Sequence, residues 1–452
     1  MGMPDSKEEL KRKACDAIDS CGSDIIGIVE DILNNPETGF REHKTARLIA
    51  EKLGAIGIPY RDGLALTGVK GTISGGMGPG PRVAIIGEMD SLLVTEHPNA
   101  DPDTGAAHAC GHNAQIGMML GAVIGLQTQD VLSSLSGSIL PFAVPAEEFV
   151  EVEHRLALRE EGKLEFLGGK QELIRLGEFD DVDMAMMCHT ASNTGRGAFS
   201  VGGSSNGHMV KYVQYTGRSA HAGPAPHEGV NALNAANLAM AAIHANRETF
   251  REEETVRLHG IITRGGEAVS AVPADVRLEW RVRSSTPEDL VKNNLAVDRC
   301  FKAGALAVGA KVTITSIPGY LRLRHDPTLQ ELALDNATML LGRDKVLVMP
   351  RDRNRGGSTD MGDLSQLMPT VHPYAGGATG SGHSETYIIE DYQQSVINPA
   401  KVMAMVVIDL LADGAVAGRE LLSRSSPAMT KEDYISFQRK RATVEEFDGS
   451  RF

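Results

Sequence analysis

The chain has 452 residues, of which 45 are basic and 59 acidic, giving a formal net charge of −14. This length predicts two or three domains, and the negative charge excludes non-specific nucleic-acid binding and favours a small-molecule partner. Five irregularly spaced cysteines predict free thiols in a reducing compartment. Because no apolar leader or membrane-spanning pattern is visible, we expect a cytoplasmic protein without membrane contact.

Helical and extended patterns alternate through the first 200 residues. The segments with a helical period are 7–33, 44–53 and 113–127, and the segments with a strand pattern are 68–74, 83–87 and 137–144. This alternation predicts a layered α/β domain.

A different pattern begins after Gly203. Strand, helix, strand, strand, helix and strand follow each other at residues 209–215, 231–247, 255–262, 275–282, 287–306 and 311–317. We therefore predict an inserted domain at 203–318 and a discontinuous first domain at 1–202 and 319–452. Further helices are predicted at 328–341 and 399–411, and the charged residues after Ser423 predict a loosely attached tail.

The most informative motif is His108-Ala-Cys-Gly-His-Asn113, which lies between a polar loop and an apolar helical pattern. Cys110 and His112 offer a thiolate and an imidazole, which transition metals prefer. A lone Cys or His is more often a packed or surface residue, so a ligand role for this pair depends on partners elsewhere in the chain.

Adjacent carboxylates, Glu147 and Glu148, follow the strand pattern that ends at Val144. Neighbouring side chains on an extended segment point to opposite sides, so one can bind a metal while the other faces a metal-activated water. We assign Glu147 as the general base and Glu148 as a ligand. The alternative interpretation is a solvated acidic edge.

Two histidines complete the candidate site. His189 ends another apolar run, and His383 lies in a Gly-rich loop where backbone can approach a site closely. With Cys110, His112 and Glu148 they make five candidate ligands, which is more than one tetrahedral zinc needs and enough for two ions if Cys110 bridges them. We expect one or two divalent ions, zinc or manganese, per subunit.

Six motifs in order resemble a known superfamily. They are Asn35–Phe40, Gly87–Asp90, His108–His112, Pro145–Glu148, Ala220–Ala222 and Gly357–Met361. At these residues the chain resembles the co-catalytic metallopeptidases and aminoacylases, in the branch that contains hippurate hydrolase, indole-acetyl-amino-acid hydrolase and aminobenzoyl-glutamate hydrolase.

The resemblance implies a metallopeptidase-like catalytic domain, with a mixed sheet flanked by helices, and an inserted ferredoxin-like lid domain that forms a homodimer or higher homo-oligomer. It carries the ligand role onto the five candidates and the base role onto Glu147. It also implies that His221 of the lid stabilises the developing oxyanion, against the alternative of an ordinary turn histidine. One departure is Asn113, which stands where many relatives have Asp and lowers the negative charge around the site.

These observations predict a metal-dependent hydrolase of a C–N bond in a small, carboxylated aromatic or acyl-amino substrate. Segments 155–169 and 362–369 resemble a bacterial sub-branch of amidohydrolases, and within it the 5-nitroanthranilate aminohydrolases, which release ammonia from an aromatic ring. The alternative is an amidase, aminoacylase or dipeptidase that cleaves an N-acyl amino acid, and a remoter one is a non-catalytic metal-binding scaffold. The arginine that would bind the substrate carboxylate stays open among Arg218, Arg281, Arg283, Arg353 and Arg355.

Overall fold

A computed structural model describes residues 6–192 and 197–451 of the chain. The chain forms two compact units. The first comprises Met1–Gly203, Arg324–Arg353 and Asp363–Ala428, and the second comprises Ser204–Leu323, Asn354–Gly362 and Met429–Phe452. The second unit therefore includes three stretches beyond the predicted inserted domain of 203–318, namely 319–323, 354–362 and 429–452, which the sequence assigns to the first domain.

Helices supply much of both cores. They are α1 (Lys7–Ser20), α2 (Gly22–Leu33), α3 (His43–Ala55), α4 (His112–Leu126), α5 (Gln129–Ser133), α6 (Val152–Glu160), α7 (Gly169–Leu176), α8 (Ala232–Asn246), α9 (Pro287–Val308), α10 (Pro327–Leu341), α11 (Met361–Leu367), α12 (Asn398–Leu411), α13 (Val416–Arg424) and α14 (Lys431–Arg441). The single helix predicted over 7–33 is two helices, because the backbone of Cys21 leaves helical geometry between α1 and α2 (φ −103°, ψ 9°).

The strands are mostly short. They are β1 (Tyr60–Leu64), β2 (Gly68–Gly71), β3 (Ile73–Ser74), β4 (Arg82–Glu88), β5 (Leu92–Leu93), β6 (Ala106–Ala107), β7 (Ser138–Val144), β8 (Met184–Met186), β9 (His189–Ser192), β10 (Phe199–Ser204), β11 (Gly207–Thr216), β12 (Arg257–Arg264), β13 (Asp275–Ser284), β14 (Lys311–Pro318), β15 (Val346–Asn354), β16 (Thr370–Val371), β17 (Tyr374–Thr379), β18 (Ile388–Ile389) and β19 (Thr443–Asp448).

The larger sheet of the first unit has the order β1-β2-β7-β4-β8-β16, with β3 also paired to β7. The strands β7, β4, β8 and β16 run parallel, and Val83 on β4 lies between Ile139 on β7 and Met184 on β8. Because the carboxyl ends of parallel strands meet at one edge, the residues that follow these four strands gather there.

A smaller sheet of the same unit has the order β15-β10-β17-β18, and β9 pairs in parallel with β17. Strand β9 begins at His189, which lies opposite Tyr374 in the register. The backbone of this candidate ligand is therefore held by the smaller sheet.

Helix α4 lies in the core of the first unit and is buried on all sides. Its glycines let neighbouring helices approach closely: a Cβ at Gly117 would lie 2.3 Å from Cγ2 of Val29, and one at Gly125 would lie 2.8 Å from the carbonyl oxygen of Ala14. Since α4 begins at His112, this packing fixes the helix that carries a candidate ligand.

The second unit has an antiparallel sheet of order β12-β13-β11-β14-β19, and its core lies between this sheet and the helices α8 and α9. The side chains of β13 alternate between buried and half-buried, as expected for a sheet covered by helices on one face. The chain order β11-α8-β12-β13-α9-β14 is the ferredoxin-like order that the sequence predicts.

The C-terminal segment is part of the second unit. Strand β19 extends the sheet by pairing with β14, where Phe447 lies opposite Val312, and α14 buries Tyr434 completely. The prediction of a loosely attached tail after Ser423 is wrong, because an added edge strand is held by backbone hydrogen bonds that a charged sequence can form equally well.

One helical stretch of the described residues, Gln393–Leu411, is long and apolar enough to cross a membrane. Within the fold, however, 83% of its most apolar window is buried. Burial of this extent is that of a core helix.

Replacing Gly125 by alanine is expected to destabilise the protein by about 1 to 3 kcal/mol, because the added Cβ would press on the backbone of α1. The matched control is Gly27→Ala in α2, where a Cβ would meet nothing within 4 Å. That change restricts the unfolded chain and should stabilise by about 0.5 to 1 kcal/mol. Urea denaturation midpoints measure the difference, and a Gly125→Ala midpoint at or above that of Gly27→Ala would contradict the close packing of α4.

Candidate active site

Three neighbouring parallel strands of the first unit bring candidate functional groups to one sheet edge. Strand β4 ends at Glu88 and is followed by Asp90, β7 is followed by Glu147 and Glu148, and β8 is followed by His189. Side chains at the carboxyl ends of parallel strands are typical of α/β active sites.

Cys110 and His112 reach this edge on the turn into α4. Gly111 between them has φ +84°, and a Cβ there would lie 2.1 Å from Oγ1 of Thr190. Only glycine fits both the conformation and the space. The turn thereby places a cysteine and a nearly fully buried histidine beside the strand ends.

The five predicted ligands form two donor sets that share one sulfur. Cys110, His112 and His189 offer donor atoms within 4.8 Å of one another, and so do Cys110, Glu148 and His383. The Sγ of Cys110 lies 3.4 Å from Nε2 of both His189 and His383. The structure thus brings together all five residues, with Cys110 where a bridging ligand would lie.

The surroundings of Cys110 favour the thiolate. Burial alone would raise the pKa of this thiol, but the nearby rings of His189, His383 and His112 hold it well below its ordinary value. Like the other four cysteines it is free, as predicted. The thiolate is the form of cysteine that binds metals.

Asp90 orients the ring of His112. The Nδ1 of His112 lies 2.9 Å from the carbonyl oxygen of Asp90 and 3.2 Å from its Oδ1, so this nitrogen donates and Nε2 faces the site. Burial would lower the pKa of His112, but Glu88 and Cys110 raise it well above its ordinary value. A histidine whose second nitrogen is held by a carboxylate is the usual arrangement for a metal ligand.

A buried ion pair lies beside Nε2 of His112, which is 3.1 Å from Oε2 of Glu88. The Nζ of Lys170 is 2.6 Å from Oε1 of Glu88, and the side chain of Gln115 donates to Oε2 at 2.8 Å. Burial would raise the pKa of Glu88, but Lys170 and His112 lower it below its usual range. Glu88 is therefore a carboxylate, and Lys170 offsets its charge beside the site.

The adjacent carboxylates Glu147 and Glu148 belong to different donor sets. Glu148 joins Cys110 and His383, whereas Glu147 lies with Glu88 and His112 in a third set whose atoms are also within 4.8 Å of one another. The side chains of both glutamates are buried. The two carboxylates therefore diverge.

The loop of His383 closes on the loop of Cys110. The backbone N–H of His383 donates to the carbonyl oxygen of Ala109 at 2.8 Å, and its Nε2 lies 3.2 Å from Oε1 of Glu148. His383 has a left-handed backbone (φ +65°) and an exposed side chain. It is the most accessible of the five candidate ligands.

His189 is oriented from behind by its own strand. Its Nδ1 donates to the carbonyl oxygen of Thr190 at 2.6 Å, which leaves Nε2 toward Cys110. The hydroxyl of Thr190 in turn hydrogen-bonds to that of Tyr387. The rings of His189, His112 and His383 thus all present Nε2 to the site.

Two residues of the His108–Asn113 motif belong to none of the donor sets. The Nδ2 of Asn113 donates to the carbonyl oxygen of Val29 at 3.3 Å, away from the donor sets, so its neutral amide fits a contact that an Asp carboxylate could not make. His108 is buried, and burial lowers its pKa to about 3. It stays a neutral ring without an assigned role.

The remaining candidates divide between the units. His221 lies in the second unit on an exposed turn, where its Nδ1 accepts the N–H of Gly223 at 3.2 Å. Of the open arginines, Arg353 lies in the first unit, and the second unit holds Arg218, Arg281, Arg283 and Arg355.

Several supporting residues have no assigned role in the sequence-based prediction. Asp90 could have been assigned, since it follows a strand end by two residues. Lys170 and Gln115 could not have been assigned. They lie on the helices α7 and α4, and their sequence positions do not indicate that they contact Glu88.

The donor chemistry fits a divalent transition metal. One thiolate, three imidazole nitrogens and a carboxylate oxygen converge within two overlapping sets. Sulfur and imidazole suit zinc, and a carboxylate also admits manganese. The ring orientations set by Asp90 and Thr190 leave the binding nitrogens facing the shared sulfur.

Comparison with known proteins finds relatives among peptidases and amino-acid-conjugate hydrolases. Residues 202–306 match a family model described as a peptidase dimerisation domain. The chain is 28% identical over 425 residues to a Xaa-Arg dipeptidase of Mus musculus, covering 89% of both proteins. It is 30% identical over 319 residues to a Xaa-Arg dipeptidase of Homo sapiens, covering 68% of this chain and 67% of that protein. It is 24% identical over 369 residues to an IAA-amino acid hydrolase of Arabidopsis thaliana, covering 78% of this chain and 77% of that protein.

The fold is that of a solved metallopeptidase. The crystal structure of a dinuclear metal-binding peptidase of the M20 family from Bacillus subtilis matches with a TM-score of 0.61 at 19% identity, covering 87% of this chain and 99% of that chain. This likeness confirms the predicted fold class, a metallopeptidase-like α/β fold with a dimerisation domain within the chain. Because its identity with the dipeptidases extends over two thirds of the chain or more and its donor groups converge, the chain belongs to the M20 family of metal-dependent peptidases and amidohydrolases.

Proposed function

We propose that this protein hydrolyses the C–N bond of a small amide, either a dipeptide or an N-acyl amino acid. The observation that carries the proposal is the thiolate shared by two donor sets, with a further buried carboxylate, Glu147, directly beside them. The relatives named above as dipeptidases and an amino-acid-conjugate hydrolase support an amide substrate.

In this proposal Cys110, His112, Glu148, His189 and His383 hold one or two divalent ions, zinc or manganese. A bound ion would supply Lewis acidity, which lowers the pKa of a water molecule and polarises the substrate oxygen. The chain's own contribution is to fix the directions of the donor atoms, through Asp90 for His112 and the carbonyl of Thr190 for His189.

Glu147 moves the proton in this proposal. Its buried carboxylate takes the proton of the attacking water and passes it to the departing nitrogen, so one group acts first as base and then as acid. Glu148 is tied to the other donor set and is unsuited to this movement. The predicted assignment of the two glutamates is therefore kept.

The second unit supplies the remaining parts of the proposal. We assign His221 to stabilisation of the oxyanion and residues 202–306 to a homodimer contact, on the strength of the dimerisation-domain match. Free cysteines suit the predicted reducing compartment.

A second candidate is the hydrolysis of an aromatic amine such as 5-nitroanthranilate. It is favoured by the resemblance of segments 155–169 and 362–369 to the 5-nitroanthranilate aminohydrolases. It uses the same ligands and the same base. In that reaction the attacked atom is a ring carbon, and ammonia leaves.

Replacing Glu147 by glutamine is expected to lower kcat by about 100- to 10,000-fold, because the amide cannot accept the proton of water. Metal content should be unchanged, since Glu147 is not among the proposed ligands. The matched control, Glu153→Gln, changes an exposed carboxylate on the nearby helix α6 and should keep full activity. Full turnover by Glu147→Gln across a broad substrate panel would contradict the catalytic role.

Replacing Cys110 by serine is expected to weaken binding of Zn²⁺ or Mn²⁺ by at least about tenfold, because a neutral hydroxyl is a poorer ligand than a thiolate. Cys15→Ser on α1 is the control, and burial raises the pKa of that thiol to about 11. Calorimetric titration and elemental analysis after dialysis measure the effect. Equal affinity in the two variants would remove Cys110 from the ligand set.

Product analysis separates the two substrate classes. With Xaa-Arg dipeptides as substrates, we expect two free amino acids in equal amounts. With indole-acetyl amino acids, we expect indole-acetic acid and an amino acid in equal amounts. Release of ammonia from 5-nitroanthranilate, with no turnover of any amide, would favour the aromatic candidate instead. The Glu147→Gln protein provides the blank for both assays.

A further inference from the structure

The loop that carries both glutamates, residues 145–148, contains a strained residue. Ala146 has φ +56°, a left-handed conformation in which the Cβ of a non-glycine residue crowds the backbone. Such conformations persist only where the surroundings hold them. The contacts that hold Ala146 therefore bear on the direction of Glu147, the next residue.

Glu42 holds the amide side of this loop. Its buried carboxyl group accepts the N–H of Ala146 at 2.8 Å on Oε1 and the hydroxyl of Thr67 at 2.7 Å on Oε2. Two directed hydrogen bonds fix this carboxyl group, and through it the peptide that precedes Ala146.

Arg155 holds the carbonyl side. This fully buried guanidinium donates from Nη1 to the carbonyl oxygens of Leu167 at 2.7 Å and Ala146 at 3.4 Å, and from Nη2 to the carbonyl oxygen of Glu148. Its fork therefore bonds the residues directly before and after Glu147. A lysine has one ammonium point and cannot reach the same acceptors in this geometry.

The turn at 35–40 packs against this guanidinium. The guanidinium carbon of Arg155 lies 5.3 Å from the ring centre of Phe40 and 5.4 Å from that of Phe149. A Cβ at Gly39 would lie 2.3 Å from Nη2 of Arg155 and 2.9 Å from Cα of Ala146. This motif of the sequence, which supplies no ligand and no base, thus forms the wall behind the 145–148 loop.

We propose that Arg155 is a positioning residue that, with Glu42, fixes the backbone on both sides of Glu147 so that the two glutamates keep their separate directions. This inference rests on the proposed function, in which Glu147 moves the proton and Glu148 binds metal. The hydrogen bonds of Arg155 go to backbone carbonyls, so it acts through the loop and not on the substrate.

The test compares Arg155→Lys with Arg159→Lys in the metal-loaded full-length protein. Both residues lie on α6, and Arg159 is partly exposed. We expect Arg155→Lys to lower kcat at least about tenfold with KM changed less than about threefold. Amide hydrogen exchange in 146–150 should accelerate at least about tenfold, while exchange in α4 stays unchanged. Arg159→Lys should leave all of these at the parent values.

Glu42→Gln provides a second variant in case Arg155→Lys does not fold. Glutamine keeps the shape of the side chain but offers one oxygen acceptor, whereas the N–H of Ala146 and the hydroxyl of Thr67 need two. We therefore expect faster amide hydrogen exchange in 146–150 and a smaller loss of kcat than in Arg155→Lys. Restoration of arginine in the Arg155→Lys gene returns the parent values.

Hydrogen exchange and turnover separate failure of this inference from failure of the proposed function. Parent-like exchange in 146–150 of both Arg155→Lys and Glu42→Gln overturns the positioning role whatever the base is. Parent-like kcat in Arg155→Lys also overturns it if Glu147→Gln is inactive. If Glu147→Gln is itself fully active, the proposed function fails, and the role of Arg155 in positioning a base fails with it.

Discussion

The whole site depends on burying opposite charges together at one sheet edge. The carboxylate of Glu88 and the ring of His112 have almost no contact with water at this edge, while Cys110 and His189 are half-buried, and a charge on any of them alone would be costly to bury. They tolerate burial because each lies within contact distance of a group of opposite or complementary character. Parallel strands, the glycine between the two motif ligands and the close packing of α4 are the means by which the chain brings these groups to one place.

The parts of the site that the sequence predicts are those with a local pattern. An apolar run that ends in a titratable residue marks a buried strand and its carboxyl end, and this pattern alone groups Glu147, Glu148 and His189. Cys110 and His112 join the group because they share one short turn. The ferredoxin-like order of the second unit is also local, since each strand and helix shows its own period.

The parts that it does not predict are set by tertiary contact. Lys170 and Arg155 lie on helices that look like ordinary charged surface helices, yet both side chains are fully buried. The strand β19 is equally hard to predict from the sequence. Its side chains are mostly exposed and several are acidic, and nothing in this pattern indicates that its backbone pairs with the edge of a sheet. A charged residue is exposed to solvent only if the fold places no buried ion-pair partner or hydrogen-bond acceptor beside it. A single sequence does not show whether such a partner lies nearby in the fold.

Asp90 links the two halves of the site. Its Oδ1 holds Nδ1 of His112 at the start of α4, and its Oδ2 accepts the backbone N–H of Glu148 at 2.8 Å. The carboxylate of Asp90 therefore sets both the ring orientation of His112 and the position of the loop that carries Glu147 and Glu148. Because Glu42 and Arg155 hold the same loop from its far side, the direction of Glu147 is determined by contacts to its neighbours' backbone. In the proposed mechanism this arrangement leaves the carboxylate of Glu147 to transfer the proton, while Glu148 lies in the donor set that it shares with Cys110.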